Sequence, residues 1–571
     1  MVAYVYQQWR DICGHGHGGQ VTTIPNTTYD YIIVGAGSAG SVVAARLSED
    51  PEVTVLLLEA GGEETGSPFL HIPAGAFMPA STSRYWDYKH TKQTGFGKGR
   101  NNGMDIPAVG RVLGGSSTVN YMQYARGCQH DYDSWRDNGC EGWGYEHVLP
   151  YFLKSEDFQS DRESKVHSKG GFLAVTENGG RPAAETFLKA GRELGYKTGD
   201  HNEHDIIFSN FYSTTRNGIR SDPARELLRP AMRRTNLHVA VNSLVTKVIF
   251  DERKAIGVDL VRDNRKNRVY VNKEVIVSAG ALGSPQLLLL SGIGPKDDLK
   301  KLNIPVVADL QVGKNLQYHL ILPIWTDTNV SYTESIDTSK FSLDFLRYLL
   351  LRNGPMASLF FEAVAFIRTT NRMDGAPDIQ INLNPTKMDS KMVLGTADSA
   401  AISEGQGLTF LIFLLHPESY GSVKLRTRDP FDLPIIDPRL LSNKEDTRVL
   451  VEGVRFVEKL MNTSAFRRLN ASVNINKIPA CELEVFDSDA YWACFVSYAA
   501  FLSAHPTGTC KMGASSSPST VVDPELRVKG VLGLRIADTS VMPSAVSGNT
   551  NAPAIMIGER AADFIKRAYQ V

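Results

Sequence analysis

Three glycines and one acid make the first group of residues that could do chemistry. Gly35, Gly37 and Gly40, with Ser38 and Ala39 between them, form a GxGxxG pattern, and Glu59 follows 19 residues after Gly40. Such glycines allow a tight turn, a close approach of backbone to pyrophosphate, and close packing of helix on strand. A carboxylate at that distance accepts hydrogen bonds from ribose hydroxyls. The pattern does not by itself distinguish FAD from NAD. A second loop rich in glycine and serine runs over residues 110–120 and contains Arg111, Gly114, Gly115, Ser117 and Asn120. A third, residues 280–294, carries Gly280, Gly283, Ser284, Gly292 and Gly294. Both suit backbone lying against a planar or anionic ligand, and both also suit ordinary turns. His505 precedes a proline in His-Pro-Thr-Gly-Thr. An imidazole titrates near neutrality and can accept a proton from an alcohol, although a histidine in this setting is also often structural.

These residues need elements to hold them. Residues 31–34 are a short apolar run bounded by glycine, which predicts a buried strand. Val42, Val43, Ala45 and Leu47 then recur at helical spacing, and residues 53–58 form a second buried strand ending at Glu59. Strand, glycine turn, helix, strand and acid therefore fall in the order of one dinucleotide-binding βαβ unit, with the pyrophosphate at the helix N-terminus. Residues 274–278 predict a further strand, with Ser284-Pro285 opening the helix after it. Residues 244–250, 408–415 and 422–426 also predict strands. Residues 444–461 predict an amphipathic helix, with Val449, Val451, Val454, Val457 and Leu460 on its apolar side. The last helix, residues 552–568, has Pro553 in its first turn and Asn549 or Asn551 available as a cap.

Composition bounds the rest. The 571 residues suggest two or more domains, and 42% hydrophobic with 22% charged residues is the balance of a soluble globular chain. A net charge of −1 gives no general attraction to nucleic acid or acidic membranes. No apolar run is long enough to span a bilayer, and residues 1–20 lack the apolar core of a signal peptide. The six cysteines have neither zinc-site nor disulfide-framework spacing and are expected to be isolated buried thiols. His15 and His17 sit in a Gly/His-rich stretch expected to be a mobile tail or a loose metal binder. Neither oligomeric state nor compartment is specified by any of these features.

Residues 110–120 and 280–294 resemble the two signature segments of the glucose–methanol–choline (GMC) oxidoreductase family. Residues 505–513, 534–538 and 548–553 resemble its C-terminal motifs, so the likeness spans about residues 28–568. It implies an α/β FAD-binding domain of Rossmann type, discontinuous over residues 28–155, 228–318 and 500–571. An α+β substrate domain, residues 156–227 and 319–499, would place an antiparallel sheet over the flavin, and residues 1–27 would be an extension. The resemblance implies that Gly35, Gly37, Ser38, Ala39, Gly40, Glu59 and Ala60 hold the ADP half of FAD, with the Val245 backbone near the adenine. Arg111, Gly115, Ser117 and Asn120 would lie by the flavin and pyrophosphate, Asp538 by the ribityl-phosphate part, and Ala552 at the helix start behind the ring. Some members tether the flavin through a histidine where this chain has Val119, which implies non-covalent FAD.

His505 would be the catalytic base and Asn549 the residue that orients the substrate oxygen; counting 14 residues back from Asp563 selects Asn549 over Asn551. Glu362 resembles a pocket glutamate that pairs with cationic substrates in choline-oxidising relatives and also occurs in members acting on neutral ones. The implied reaction is hydride transfer from a small alcohol to the flavin. Electrons would pass to a quinone, another carrier or oxygen. A hydroxynitrile lyase of the same family is the non-redox alternative. Photodecarboxylase relatives resemble the chain less, since they carry a cysteine where Leu415 stands and lack the histidine.

Overall fold

A computed structural model describes residues 2–14, 18–77, 82–99, 108–330, 341–370, 372, 374–387, 406–474 and 478–569. Two large sheets organise them. The first has seven strands around Thr28–Val34, which pairs in parallel with Val55–Leu58 on one side and Arg265–Val277 on the other. Leu237–Ala240 extends the parallel set beyond Val55–Leu58, and Leu534–Ile536 joins Arg265–Val277. Lys254–Arg262 and Ser243–Asp251 add antiparallel strands. The 13-residue strand Arg265–Val277 serves both halves. Its first four residues are exposed and alternation runs from Arg268 to Asn272; its end, Val275 to Val277, is wholly buried between parallel neighbours, as such strands require.

Helix Ser38–Leu47 makes the crossover from Thr28–Val34 to Val55–Leu58. Helix Asn551–Tyr569 packs along it. Gly558 allows that approach, because a Cβ there would meet the Ala39 carbonyl oxygen at 2.7 Å. The buried Glu559 carboxylate receives Arg46 Nε and Nη2 at 3.0 and 2.8 Å, with Lys154 at 3.0 Å.

The second sheet has nine strands and is antiparallel except where Glu156–Phe158 meets Leu173–Asn178. Alternation gives it two characters. Ala363, Ala365, Ile379, Ile381, Phe410 and Ile412 pack with Val454, Val457 and Leu460 of helix Lys444–Met461. Val364, Phe366, Leu411 and Phe413 point the other way. Gln380 and Asn382 share that face and form a buried amide cluster with Gln123. Strand Phe501–Leu502 pairs with Leu320–Asp327, and Gln317 bridges Thr507, so residues 317–321 lie beside the segment carrying His505.

Three expectations are revised. Gly421–Lys424 is a strand, but it belongs to a separate three-stranded sheet with Lys314–Leu316 and Ile435–Asp437 rather than to the sheet of Gly407–Leu414. Helix Gly280–Leu290 starts well before Ser284, with Pro285 inside it. The proline removes the donor for the Ala281 carbonyl, and Thr509 Oγ1 supplies a replacement at 2.7 Å. Cys481 and Cys494 form a disulfide, brought together because Pro479–Cys481 packs against helix Asp489–Ala499; Cys13, Cys128, Cys140 and Cys510 are buried thiols. The expectation for His15 and His17 falls on residues 15–17, outside the described set; of the residues flanking them, Ile12 is buried and Gly19 N donates to the Arg229 carbonyl at 2.8 Å. No helix among the described residues is long and apolar enough to cross a membrane.

Candidate active site

The glycine turn after Thr28–Val34 is shaped by what surrounds it. A Cβ on Gly40 would lie 1.9 Å from the Gly35 carbonyl oxygen, so only glycine lets the helix start this close to the strand. Gly37, the residue before helix Ser38–Leu47, has open space where a Cβ would be, and no side chain caps that helix. Its first backbone N–H groups therefore remain available to an anion. Ser38 Oγ donates to Asn551 Oδ1 at 2.7 Å, which brings the N-terminus of helix Asn551–Tyr569, with Ala552 in its first turn, to the same place. Two positive helix ends thus converge there.

The second glycine loop closes over the first. Gly114 N donates to the Ala36 carbonyl at 2.8 Å, and a Cβ on Gly115 would meet Gly37 Cα at 2.8 Å. Ser117 Oγ donates to the Gly114 carbonyl at 2.7 Å. Glu59 is buried after its strand; its Oε2 accepts from Ala36 N at 2.9 Å and Oε1 from Gly61 N at 2.7 Å. Burial raises its pKa, opposed by those N–H groups and by Arg111. Arg111 lies over the Trp86 ring at 4.9 Å with Nε buried and without a protein partner. Ala60 follows Glu59, and the strand of Val245 begins where Ser243 N donates to the Glu59 carbonyl at 2.8 Å.

Asp538 gathers three donors: Gly280 N at 2.9 Å, Ser284 Oγ at 2.5 Å and Ser540 N at 2.7 Å. It joins the helix Gly280–Leu290 to the end of Leu534–Ile536, and burial raises its pKa despite those bonds.

His505 and Asn549 meet across 44 residues of chain: Asn549 Nδ2 lies 3.2 Å from His505 Nε2. The other ring nitrogen, Nδ1, lies 3.1 Å from Nδ1 of His319. Burial, and then His319, hold the His505 pKa well below the usual histidine range, so the ring is neutral at pH 7. Asn549 Oδ1 is buried with no protein partner, an acceptor turned toward a group the polypeptide does not supply. The two candidate caps are engaged elsewhere: Asn551 Oδ1 accepts from Ser38, and Asn549 Nδ2 lies against His505.

Glu362 is placed differently. Its carboxylate is buried, with Oε1 facing Arg181 at 3.6 Å near the Ala184 N–H at the start of helix Pro182–Glu193, and Oε2 makes no hydrogen bond. Burial raises its pKa, with Arg181 opposing. No contact joins it to His505 or Asn549 among the described residues.

Several residues of this region were not singled out from sequence. Arg220, fully buried, donates to the Ser117 carbonyl at 3.0 Å, to Asn120 Oδ1 at 2.6 Å and to the Asn120 carbonyl at 2.8 Å, fixing the second glycine loop from behind. Burial lowers its pKa to about 10. Ser547, two residues before Asn549, is pinned by Asp131, which accepts its N–H at 2.7 Å and hydroxyl at 2.9 Å, and by His416 Nε2 at 2.8 Å. Burial raises Asp131 to about 6. Nothing local in the sequence pairs Asp131 or His416 with Ser547.

GMC oxidoreductase models match residues 29–321 and 417–558 of the chain. The chain belongs to the GMC oxidoreductase family. A glucose dehydrogenase [FAD, quinone] of Drosophila pseudoobscura pseudoobscura is 38% identical over 98% of this chain and 90% of that protein. The mitochondrial choline dehydrogenase of Homo sapiens is 39% identical over 94% of this chain and 90% of its own length. A crystal structure of formate oxidase superimposes with a TM-score of 0.85 at 26% identity, covering 96% of this chain and all of that one.

This GMC oxidoreductase is an FAD-dependent enzyme acting on CH–OH donors. Its residues fit that cofactor: an open glycine cradle at two helix N-termini, the buried acid Glu59 at the end of the next strand, an unpartnered Arg111 Nε and an unpartnered Asn549 Oδ1. Val119 offers no nucleophile, in keeping with non-covalent FAD.

Proposed function

We propose that this GMC oxidoreductase is a dehydrogenase in which His505 takes the hydroxyl proton of an alcohol and Asn549 orients the oxygen. FAD, when bound, supplies the acceptor for the hydrogen that leaves carbon with its electron pair. The observation that carries the reading is the pair itself, a neutral imidazole with Nε2 beside an amide N–H at 3.2 Å. An alcohol oxygen set against this pair can donate its proton to Nε2 while accepting from the amide. General-base help of this kind is worth about 10²–10⁴-fold. The amide has no useful basicity, so the proton falls to His505.

Residues 28–155, 228–318 and 500–571 are the cofactor-binding part in this reading, with residues 156–227 and 319–499 forming the substrate part. Gly35, Gly37, Gly40, Glu59, Arg111, Gly115, Val245 and Ala552 would hold FAD. Ser117 and Asn120 would shape its flavin side, held by Arg220. Asp538 contributes mainly by keeping the Gly280 and Ser540 backbones in place. The Arg181 guanidinium 3.6 Å from Glu362 favours an uncharged alcohol over a cationic one. An acceptor other than oxygen is favoured by the 38% identical relative named for quinone. The Cys481–Cys494 disulfide favours an oxidising compartment.

The test is an anaerobic absorbance titration of the purified flavoprotein against uncharged and cationic alcohols, repeated for His505→Ala. Bleaching by one alcohol class, slowed at least about 100-fold in the variant with its flavin retained, is the expected result. Equal rates in variant and wild type would remove His505 from the chemistry. Turnover with oxygen alone matching that with a quinone analogue would make the enzyme an oxidase.

A further inference from the structure

We propose that His319 is a positioning residue that keeps the proton of His505 on Nδ1 and so leaves Nε2 bare to act as the base, an inference that rests on reading His505 as that base.

The two imidazoles meet Nδ1 to Nδ1 at 3.1 Å, edge to face, with ring planes at 87°. Between two neutral rings one nitrogen must carry the proton and the other a lone pair. The Asn549 end of the contact decides which. Asn549 Nδ2 can only donate, and it lies 3.2 Å from His505 Nε2, so that nitrogen holds the lone pair and His505 carries its proton on Nδ1. His319 Nδ1 must then accept at 3.1 Å, which puts the His319 proton on Nε2, a buried nitrogen with no hydrogen-bond partner. One proton assignment satisfies both contacts, from His319 to Asn549.

A protonated His319 would break that chain, since it would offer a proton on both nitrogens. Complete burial prevents this and lowers its pKa to about 4. When His505 takes a proton at Nε2 it becomes a cation, and its Nδ1–H still meets a lone pair. The backbone also holds the two rings in register. Ser503 donates to the His319 carbonyl through N at 3.1 Å and Oγ at 2.8 Å, and Gln317 exchanges backbone hydrogen bonds with Thr507 at 3.2 and 3.1 Å. Gln317 also reaches the loop that leads to Asn549, accepting from Ala545 N at 3.0 Å.

The test uses the FAD-loaded enzyme with [15N]histidine and long-range 1H–15N spectra, with His505→Gln identifying the His505 signals. No alcohol is needed. In the wild type, His505 should be protonated on Nδ1 and bare on Nε2. His319→Leu removes the acceptor and should move the His505 tautomer ratio toward Nε2–H by roughly five- to tenfold, the effect of one neutral hydrogen bond. His319→Asn, whose Oδ1 falls near the lost Nδ1, should restore most of the wild-type ratio. A merely structural role predicts no such rescue. A wild-type His505 carrying its proton on Nε2, or an unchanged ratio in His319→Leu, overturns the proposal. If His319→Leu fails to retain FAD, the wild-type spectrum and His319→Asn still decide. Failure of the base reading is separate: it would appear as unimpaired flavin reduction in His505→Ala, whatever the tautomer.

Discussion

Asn549→Asp places a carboxylate where an amide now lies 3.2 Å from His505 Nε2. Two unit charges at that distance attract by about 5 kcal/mol at an effective dielectric of about 20. Both side chains are only partly buried, and burying the new carboxylate takes back a share. About half of that attraction, equivalent to about two pH units, is therefore the expected net effect on the imidazolium. The sign follows from what is stabilised. The carboxylate favours protonated His505, and a protonated ring is no base. In the wild type the His505 pKa lies well below the usual range, because of burial and His319, so flavin reduction should stay on its plateau as pH falls through 6.5. In Asn549→Asp the rising limb should move alkaline by about two pH units. Anaerobic stopped-flow reduction, measured from pH 5 to pH 9 with the alcohol that bleaches the wild-type flavin, reads both profiles. Asn549→Ser is the control, removing the amide without adding charge; it should slow reduction and leave the limb where it is. An Asn549→Asp profile coincident with the wild type would show that the proton acceptor is not the ring beside residue 549.

Two other outcomes follow from buried bonds. Asp538→Ala leaves Gly280 N, Ser284 Oγ and Ser540 N without their acceptor; at about 1–3 kcal/mol for each orphaned group, partly offset by removing a buried carboxylate, thermal unfolding of the FAD-free protein should shift down clearly. An unchanged melting curve with FAD lost would mean that Asp538 serves the cofactor alone. Replacing Cys481 and Cys494 together by serine opens a loop closed across a separation of 13 residues; a loss of about 3 kcal/mol is expected. Wild-type protein treated with a reductant should melt like the double variant, and identical melting of oxidised and reduced wild type would count against the bond.

The sequence by itself determined the parts whose causes are local. The βαβ unit was legible because β-branched runs, glycine spacing and helical periodicity all act within about 30 residues. The helix Lys444–Met461 agrees with its apolar period at both ends for the same reason, with Asn443 capping Glu445 N at 3.0 Å. Family resemblance added the residues of His505 and Asn549, but not the ring behind them. What only the tertiary structure decided depends on contacts between distant segments. His319 and His505 are 186 residues apart, and they meet because strand Leu320–Asp327 pairs with Phe501–Leu502 and Gln317 bridges Thr507. Thr509 replaces the donor that Pro285 removes, which is why a proline expected to open a helix sits inside one. Glu362 has the residue type of a cation site, yet chain crossing sets the Arg181 guanidinium 3.6 Å from its Oε1 and leaves Oε2 without a hydrogen bond. Residue type and spacing state what a side chain can do; burial and the partner set by chain crossing decide which proton or charge it holds.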